Sequence, residues 1–315
     1  MSVDGIVPAQ LAMGCAHLGE ATSGVSWSKN VAMVRTAVEG GIDAFDTADA
    51  YMNGTSERLL GRALRGQPNA TIFTKAGYLF RPRSALEARA RFLAGPIVRR
   101  LGGGAVAAVT KGEDKFVRQD FSPEYLTKAV TSSLRRLGVG RIDLLQLHAP
   151  RAVDPDPVLE WARNEVDGGR IARLGVAVED VAEAMAWVGR RGIDSVQLPF
   201  SVFDAATALP IIDRARASGT AVIARGVLGG GRLDRSNDET ARRMTAALDE
   251  LATQCGRSRR DLAVGFARSQ PGVDVVVVGL RLPHHVTDLV ALARRGPLGH
   301  DEVAAVRAIV HDQRP

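Results

Sequence analysis

Short apolar runs recur along the chain, with longer amphipathic stretches between them. The runs are nearly continuous in hydrophobicity and rich in β-branched residues, which is typical of parallel strands covered on both faces. This pattern predicts eight strands. They occupy residues 11–17, 43–48, 70–76, 142–149, 172–178, 195–201, 221–227 and 273–279.

The segments between the runs carry helix signals. Ser122 is a predicted N-cap, and Gly138 is placed to end the same helix. Ser28 precedes an apolar stripe in the same manner, and Ser258 with Asp261 has the pattern of a capping box. Eight strands alternating with helices favour an α/β fold of the (β/α)₈ TIM-barrel type over an open doubly wound sheet. No Gly-x-Gly-x-x-Gly follows a strand, which removes the usual reason to prefer the open sheet.

The connection after the third predicted strand is longer than a barrel requires. Residues 1–315 are therefore predicted to form one barrel domain with an insertion at residues 80–120. The insertion has nine Lys/Arg against four Asp/Glu, a net charge of +5. Its apolar residues between Leu86 and Leu101 predict a partly helical lid beside the active site, with residues 102–104 as a hinge. A solvated loop without function is the alternative.

Composition and charge narrow the function classes. Hydrophobic residues make up 45% and charged residues 24% of the chain, as in soluble globular proteins. The N-terminal residues lack the features of a signal peptide, and no apolar run approaches the ~20 residues of a membrane span. We therefore predict a cytoplasmic protein with free thiols at Cys15 and Cys255, and no membrane partner. The net charge of +6 is accompanied by no nucleic-acid-binding module, so nucleic acid is the least favoured partner.

Four polar residues lie at or just beyond neighbouring predicted strand ends. Asp46 lies at the end of the second strand, Lys75 at the end of the third and His148 at the end of the fourth, while Tyr51 lies in the loop after the second. Because active sites of such barrels lie at the C-terminal strand ends, the four side chains are expected to meet there.

The four residue types suit proton transfer. A tyrosine with a pKa near ~10 is a weak acid at neutral pH unless its phenolate is stabilised. An ammonium group such as that of Lys75 can stabilise the phenolate, Asp46 can hold the lysine charged, and His148 can orient a substrate oxygen. Singly, each residue is more often structural. Their joint position at consecutive strand ends favours catalysis.

Three segments resemble the signature segments of the aldo-keto reductases, a family of barrel enzymes that use a nicotinamide cofactor without a Rossmann fold. The segments are DAFDTADAYMNGTSERLLGRAL, IFTKAG and SLRRLGVGRIDLLQLHAP. The resemblance implies that Tyr51 is the general acid/base, that Lys75 and Asp46 tune it, and that His148 orients the carbonyl. It implies hydride transfer between NADP(H) and a carbonyl or alcohol of a small, sugar-like or natural-product substrate. A weaker likeness points to the aldose-dehydrogenase branch.

The same resemblance implies cofactor contacts in the second half of the chain. Gln197 stands where the family's glutamine holds the nicotinamide carboxamide, and Arg225 where a residue contacts the nicotinamide ring. Ala177 and Val178 replace the polar Ser-Asn pair of many relatives, which removes two polar contacts. The loop that resembles the pyrophosphate-covering segment comprises Leu228, Gly229, Gly230 and Gly231.

The segment after the last strand resembles the part of the family that binds the adenosine ribose. It begins at Gly279, and Arg281 stands where a basic residue meets the 2′-phosphate of NADP. This implies NADPH as the cofactor, with NADH as the alternative. His285 and Leu289 replace the family's usual Gln and Asn near the adenine.

Two other functions compete with this interpretation. One is a catalytically weak cofactor-binding barrel that acts as a sensor or subunit, and the other is a phosphate-binding barrel isomerase or lyase. Metal chemistry and nucleophilic catalysis have little support, because the sequence contains no His-x-x-x-His pair, no Gly-x-Ser-x-Gly elbow and no Gly-Lys-Ser/Thr loop.

Overall fold

The computed structural model describes residues 11–20, 23–90, 92, 118–151 and 153–312. Eight parallel strands pair in chain order and close into a barrel, which confirms the predicted TIM-barrel fold. The strands are β1 Leu11–Gly14, β2 Ala44–Asp46, β3 Thr71–Ala76, β4 Leu144–His148, β5 Leu174–Ala177, β6 Ser195–Pro199, β7 Ala221–Arg225 and β8 Val275–Gly279.

Every strand lies within its predicted run, but all eight are shorter than predicted. The reason is that an apolar run reports burial, and burial continues into the loops. Cys15, Ala48 and Phe200 follow strands β1, β2 and β6, and all three side chains are fully buried although none is in a strand.

Helices cover the strands in the α/β alternation that the pattern indicated. Short 3₁₀ turns occupy Tyr51–Gly54, Val181–Ala186 and Gly229–Gly231. The α-helices with complete bounds in the described residues are α1 Trp27–Glu39, α2 Thr55–Ala63, α3 Pro123–Leu137, α4 Pro155–Asp167, α5 Ala205–Ser218, α6 Glu239–Cys255, α7 Arg259–Arg268, α8 Pro283–Arg295 and α9 His300–Asp312.

Two of the three predicted helix starts are confirmed. The Ser122 hydroxyl accepts the backbone N–H of Tyr125 at 3.3 Å at the start of α3, and Gly138 ends that helix in the left-handed conformation. Ser258 and Asp261 form a reciprocal capping box at the start of α7.

The predicted N-cap Ser28 is wrong. Helix α1 is capped two residues earlier, where the Ser26 hydroxyl accepts the Lys29 backbone N–H at 3.3 Å. Ser26 has the extended backbone that an N-cap requires, while Ser28 lies in the first turn and its hydroxyl bonds to that of Ser26 at 3.1 Å. Two serines two residues apart offer the same local signal, and the backbone conformation decided between them.

Helices α2 and α3 pack closely because Gly61 lacks a side chain. A Cβ at Gly61 would lie 2.2 Å from the backbone oxygen of Leu137, so only glycine allows the two backbones to approach this far. This contact fixes the C-terminal end of α2, the helix that follows the turn carrying Tyr51.

The chain divides into two compact units. The first unit consists of Met13–Gly175 and Gly279–Val290, and the second contains Val176–Val278. The single domain expected over residues 1–315 stays a prediction.

An insertion follows β3, as predicted. Its two ends pair with each other: Leu79 N–H donates to the Arg118 oxygen at 2.9 Å, and Asp120 N–H donates to the Gly77 oxygen at 2.8 Å. Residues 85–90 are helical, but Leu86 is 79% exposed and does not pack as expected. Residue 91 and residues 93–117, with the proposed hinge and most of the excess positive charge, lie outside the described residues.

Other expectations concern thiols, membranes and metals. Cys15 and Cys255 are free thiols, as predicted. In the described ranges, no helix combines the length and apolar character needed to cross a bilayer. Within the same ranges, no group of three or more His, Cys, Asp or Glu side chains is arranged to hold a metal ion.

Candidate active site

A buried ion pair joins the ends of β2 and β3. The Lys75 Nζ donates to Asp46 Oδ1 at 2.7 Å, to Asp46 Oδ2 at 2.6 Å and to the Thr47 backbone oxygen at 2.9 Å. Lys75 is 1% exposed and Asp46 is 5% exposed. Parallel pairing sets Asp46 opposite Phe73, and Lys75, two residues further along β3, reaches back to three acceptors at and just beyond the end of β2. Lys75 is thereby held in one place with its charge compensated.

Gln146 on β4 also contacts this pair. Its Nε2 donates to Asp46 Oδ1 at 3.3 Å, and its backbone lies opposite Lys75 in the pairing of β3 with β4. The sequence prediction missed Gln146. The available signal was its position two residues before His148, because alternate residues of a strand face the same side.

Tyr51 lies at the start of the 3₁₀ turn that follows β2, next to both Lys75 and His148. The Lys75 Nζ is 5.3 Å from the centre of the Tyr51 ring. The Tyr51 and His148 rings are 5.7 Å apart and nearly perpendicular, at 84°. The four residues predicted from the strand ends therefore come together in the first unit.

His148 is held in position by aromatic and amide groups that the sequence prediction missed. The Tyr78 ring lies 4.8 Å from the His148 ring at 80°, and the Tyr125 hydroxyl donates to the Tyr78 backbone oxygen at 2.6 Å. Gln119 Nε2 donates to the backbone oxygens of His148 and Ala149, each at 2.9 Å. Tyr78, just before the insertion, and Gln119, near its end, thus support the histidine.

Backbone strain is concentrated around Tyr51 and His148. In the described part of the chain, positive φ at non-glycine residues occurs at Met52 (49°), Asn53 (54°) and Ala149 (52°). Such conformations cost roughly 1–3 kcal/mol each and cluster at functional sites. Met52 adopts this conformation with a side chain, although glycine would adopt it at the least cost.

A second polar network connects α2 to the strands. Glu57 Oε1 accepts from the Thr74 hydroxyl at 2.7 Å, and Glu57 Oε2 accepts from Arg136 Nε at 2.6 Å. The Ser56 hydroxyl donates to the Cys15 backbone oxygen at 2.9 Å. The Ser-Glu pair of the signature therefore fixes the helix that follows Tyr51.

Two buried acidic groups near the site have raised pKa values. Burial, reinforced by the Glu57 carboxylate, raises the pKa of Asp49 well above its usual range. Burial, reinforced by Asp46, raises the pKa of the Cys15 thiol. The environment of Asp49 therefore favours its neutral form and that of Cys15 disfavours the thiolate.

Arg281 lies just beyond β8 in the first unit and forms an ion pair. Its Nη2 donates to Glu20 Oε1 at 2.7 Å, while its side chain remains 54% exposed. A hydrogen bond from His17, followed by the Arg281 interaction, keeps the pKa of Glu20 below its ordinary value. The His285 Nδ1 accepts the backbone N–H groups of Arg281 and Leu282 at 3.3 and 3.4 Å, so this side chain caps the start of α8. Leu289 is buried.

Two of the cofactor residues expected in the second unit lie within β6 and at the end of β7. Gln197 is fully buried on β6, and its backbone oxygen accepts from Val178 N–H at 2.9 Å. Arg225 ends β7 and its Nη2 donates to the Val178 backbone oxygen at 2.6 Å. Ala177 and Val178 are both buried. The guanidinium group of Arg225 thus lies where the family's Ser-Asn pair is replaced.

The glycine loop follows β7. Gly229, Gly230 and Gly231 form a 3₁₀ turn directly after Leu228, and all three have positive φ, at 68°, 63° and 97°. This backbone favours glycine over any residue with a side chain. The loop can therefore present its backbone closely to a ligand.

Tyrosine, lysine, aspartate and histidine at adjoining strand ends of a parallel barrel form a group that can transfer a proton. Residues 10–311 of the chain match the family model described as "Aldo/keto reductase family". The chain belongs to the aldo/keto reductase family and is an NAD(P)H-dependent oxidoreductase.

Individual relatives agree with this assignment. The chain is 28% identical over 243 residues to D-threo-aldose 1-dehydrogenase of a Pseudomonas species, covering 73% of this chain and 68% of the relative. Two solved structures share the fold. The glycerol dehydrogenase of Gluconobacter oxydans has a TM-score of 0.76 at 23% identity, covering 98% of this chain and 93% of that one. An aldo/keto reductase from Klebsiella pneumoniae, in complex with NADP and acetate, has a TM-score of 0.71 at 19% identity, covering 96% and 91%.

Proposed function

We propose that this protein transfers a hydride between NADP(H) and the carbonyl or alcohol group of a small, sugar-like substrate. The observation that carries the proposal is the cluster of Asp46, Tyr51, Lys75 and His148. Its geometry suits a proton transfer that accompanies hydride transfer.

Tyr51 is the proposed general acid in reduction and general base in oxidation. As the carbonyl oxygen gains negative charge, the Tyr51 hydroxyl delivers its proton, which leaves a phenolate. The Lys75 ammonium group, 5.3 Å from the Tyr51 ring centre, stabilises that phenolate. Asp46 keeps Lys75 charged and immobile, so the positive charge is already in place before the proton moves.

His148 is proposed to orient the substrate oxygen. Its ring is in contact with those of Tyr51 and Tyr78, and Gln119 fixes its backbone. A donor restrained in this way can hold the carbonyl within reach of the Tyr51 hydroxyl.

The cofactor supplies the hydride when it is bound. The residues present fit such a group: the glycine turn 229–231 offers an accessible backbone, and Arg281 offers a half-exposed guanidinium beside the start of α8. We propose that Gln197 and Arg225 contact the nicotinamide part, and that Leu228 to Gly231 cover the pyrophosphate. Gly279, Arg281 and His285 are proposed to contact the adenosine part, with Arg281 selecting NADPH through the 2′-phosphate.

The sugar-like substrate class rests on the similarity to the D-threo-aldose dehydrogenase. Within the class, the identity of the substrate depends on loops beside Tyr51, including the insertion after β3.

The experiment is a substitution of Tyr51 combined with a substrate panel. Aldehydes, aldoses and ketones are followed at the NADPH absorbance band with the unmutated protein and with Tyr51→Phe, which removes the acid and keeps the ring. The kcat of Tyr51→Phe should fall by roughly 10²–10⁴-fold, the scale of general acid catalysis. The Kd for NADPH should be unchanged.

Tyr125→Phe is the matched control, because it also removes one phenol hydroxyl, and it should lower kcat much less. Near-normal turnover of Tyr51→Phe would contradict the proposed acid. Tight NADPH binding without turnover of any substrate would instead favour the cofactor-binding subunit.

A further inference from the structure

A cavity opens in the first unit, apart from the proposed catalytic residues. It has a volume of about 640 Å³ and lies between α2, α3 and the helical residues 85–90, and Trp27 lines one part of it. Asp46, Tyr51, Lys75 and His148 do not line it. Its described lining has no Asp or Glu. We call it the arginine groove after the six arginines that line it: Arg58, Arg62, Arg65, Arg89, Arg135 and Arg136.

The spacing of the arginines along the chain creates the groove. Arg58, Arg62 and Arg65 are four and three residues apart, so α2 and the turn after it present them on one face. Arg135 comes from the last turn of α3. Basic residues in a last helical turn stabilise the helix end, which accounts for Arg62 and Arg135. It does not account for Arg58, early in α2, or for Arg89 on another helical stretch.

The charges of the groove are poorly compensated. Arg136 forms the buried ion pair with Glu57. Among the described residues, no carboxylate pairs with any of the other five arginines. Like charges one helical turn apart destabilise a helix, so this arrangement has a cost in the absence of a counter-ion.

Arg58 shows the effect most directly. One of its terminal nitrogens donates to the Arg83 backbone oxygen at 3.2 Å, but its Nε is buried and has no hydrogen-bond partner in the described part of the molecule. Burial, followed by the nearby Arg136 and Arg135, lowers the pKa of Arg58. An anion in the groove would relieve the repulsion between these guanidinium groups.

We propose that the arginine groove binds a small anion with two or more linked phosphate groups. Guanidinium groups bind phosphate oxygens through paired N–H donors, and several of them in one cavity match a ligand with several negative charges. The volume is in the usual range for small-molecule sites. Trp27, whose ring meets that of Phe92 at 5.5 Å, adds an aromatic surface at the groove. The ligand is either an inorganic polyphosphate or the phosphate chain of a nucleotide.

The test is isothermal titration calorimetry of the full chain with sodium triphosphate and, separately, with ATP. Both titrations are repeated with saturating NADPH, so that ATP bound at a cofactor site is recognised by its displacement. We expect triphosphate to bind with a Kd below roughly 1 mM at low salt and more weakly as salt is added. The triphosphate titration without NADPH does not depend on the proposed cofactor or catalysis, so either proposal can fail alone.

Two double variants with equal loss of charge locate the site. Arg62→Ala with Arg65→Ala removes two exposed arginines of the groove, and Arg163→Ala with Arg214→Ala removes two exposed helical arginines elsewhere. The groove variant should weaken triphosphate binding roughly tenfold, as two partly exposed ion pairs would. The control should bind as the unmutated protein does, and turnover should be unchanged in both.

Equal weakening in the two double variants, or no binding of triphosphate at roughly 10 mM, would overturn the proposal. Tighter binding of ATP than of triphosphate, lost in Trp27→Leu, would identify a nucleotide ligand. Equal affinities would identify the inorganic chain, and either result supports the groove.

Discussion

The polar residues on the two faces of helix α2 differ in burial and in bonding. On the inward face, Ser56 and Glu57 are fully buried, and their side chains bond to Cys15, Thr74 and Arg136. On the outward face, Arg58 and Arg62 contribute to the arginine groove and have no carboxylate partner in the described residues.

The difference shows what burial demands. A buried polar group without a partner costs roughly 1–3 kcal/mol, and more if it is charged, so Ser56 and Glu57 are tolerated on the inward face because their side chains are bonded. Water solvates most of the outward arginines, so they need no internal partner. The hydrogen bonds of Ser56 and Glu57 therefore serve to position the turn that carries Tyr51. The charges of the groove arginines remain available to a ligand.

The largest expected effect comes from breaking the inward network with Glu57→Gln. This change keeps the side-chain shape but leaves the guanidinium of Arg136 buried without its counter-charge. Breaking a buried ion pair in this way costs roughly 3–5 kcal/mol, which should appear as a lower free energy of unfolding in urea.

Glu239→Gln is the matched control, since Glu239 pairs with Arg242 on the exposed surface, and no measurable change is expected there. The double variant Glu57→Gln, Arg136→Met should recover part of the loss, because it removes the unpaired charge. A loss for Glu57→Gln no larger than that of the control would contradict the comparison.

Arg281 is intermediate between the buried, paired Arg136 and the exposed arginines of the groove, because it is half-exposed and paired with Glu20. We expect Arg281→Ala to weaken NADPH binding by roughly 1.5–3 kcal/mol, the value of a hydrogen bond to a charged group, and to leave NADH binding unchanged. Kd values for both cofactors, measured by fluorescence, check this.

Glu20→Gln is the control, since it removes the competing carboxylate and should leave NADPH affinity equal or higher. If the unmutated protein binds NADPH and NADH equally well, Arg281 does not select the cofactor.

The smallest expected effect is that of Arg62→Gln in the groove. This change should raise the free energy of unfolding, whereas Glu57→Gln should lower it. Removing one of several like charges should raise the free energy of unfolding by at most about 0.5 kcal/mol at low salt, because the relieved repulsion is partly offset by the lost interaction of Arg62 with the C-terminal end of α2. The gain should disappear at high salt, because salt screens exposed charges. Arg163→Gln on α4, outside the groove, should show no such salt dependence, and a clear loss of stability in Arg62→Gln would show that the interaction with the end of α2 outweighs the repulsion in the groove.

Much of the fold was predictable because it depends on local patterns. The eight apolar runs, the Ser122 cap and the capping box at Ser258 all follow from spacing along the chain. Strand ends were less predictable, since residues such as Cys15 and Phe200 are as buried as the strands they follow. The Ser28 prediction failed for a related reason, because two neighbouring serines offered the same cap.

The sequence by itself determined the barrel and the four side chains at its strand ends, because parallel pairing brings consecutive strand ends together. Only the tertiary structure decided which other groups support them. Gln146 reaches Asp46, Tyr78 packs on His148, and Arg136 neutralises Glu57 from 79 residues away. The structure also gathered arginines from three helical segments into one groove. Contacts between distant segments depend on how helices pack, and the one-dimensional pattern does not contain that information.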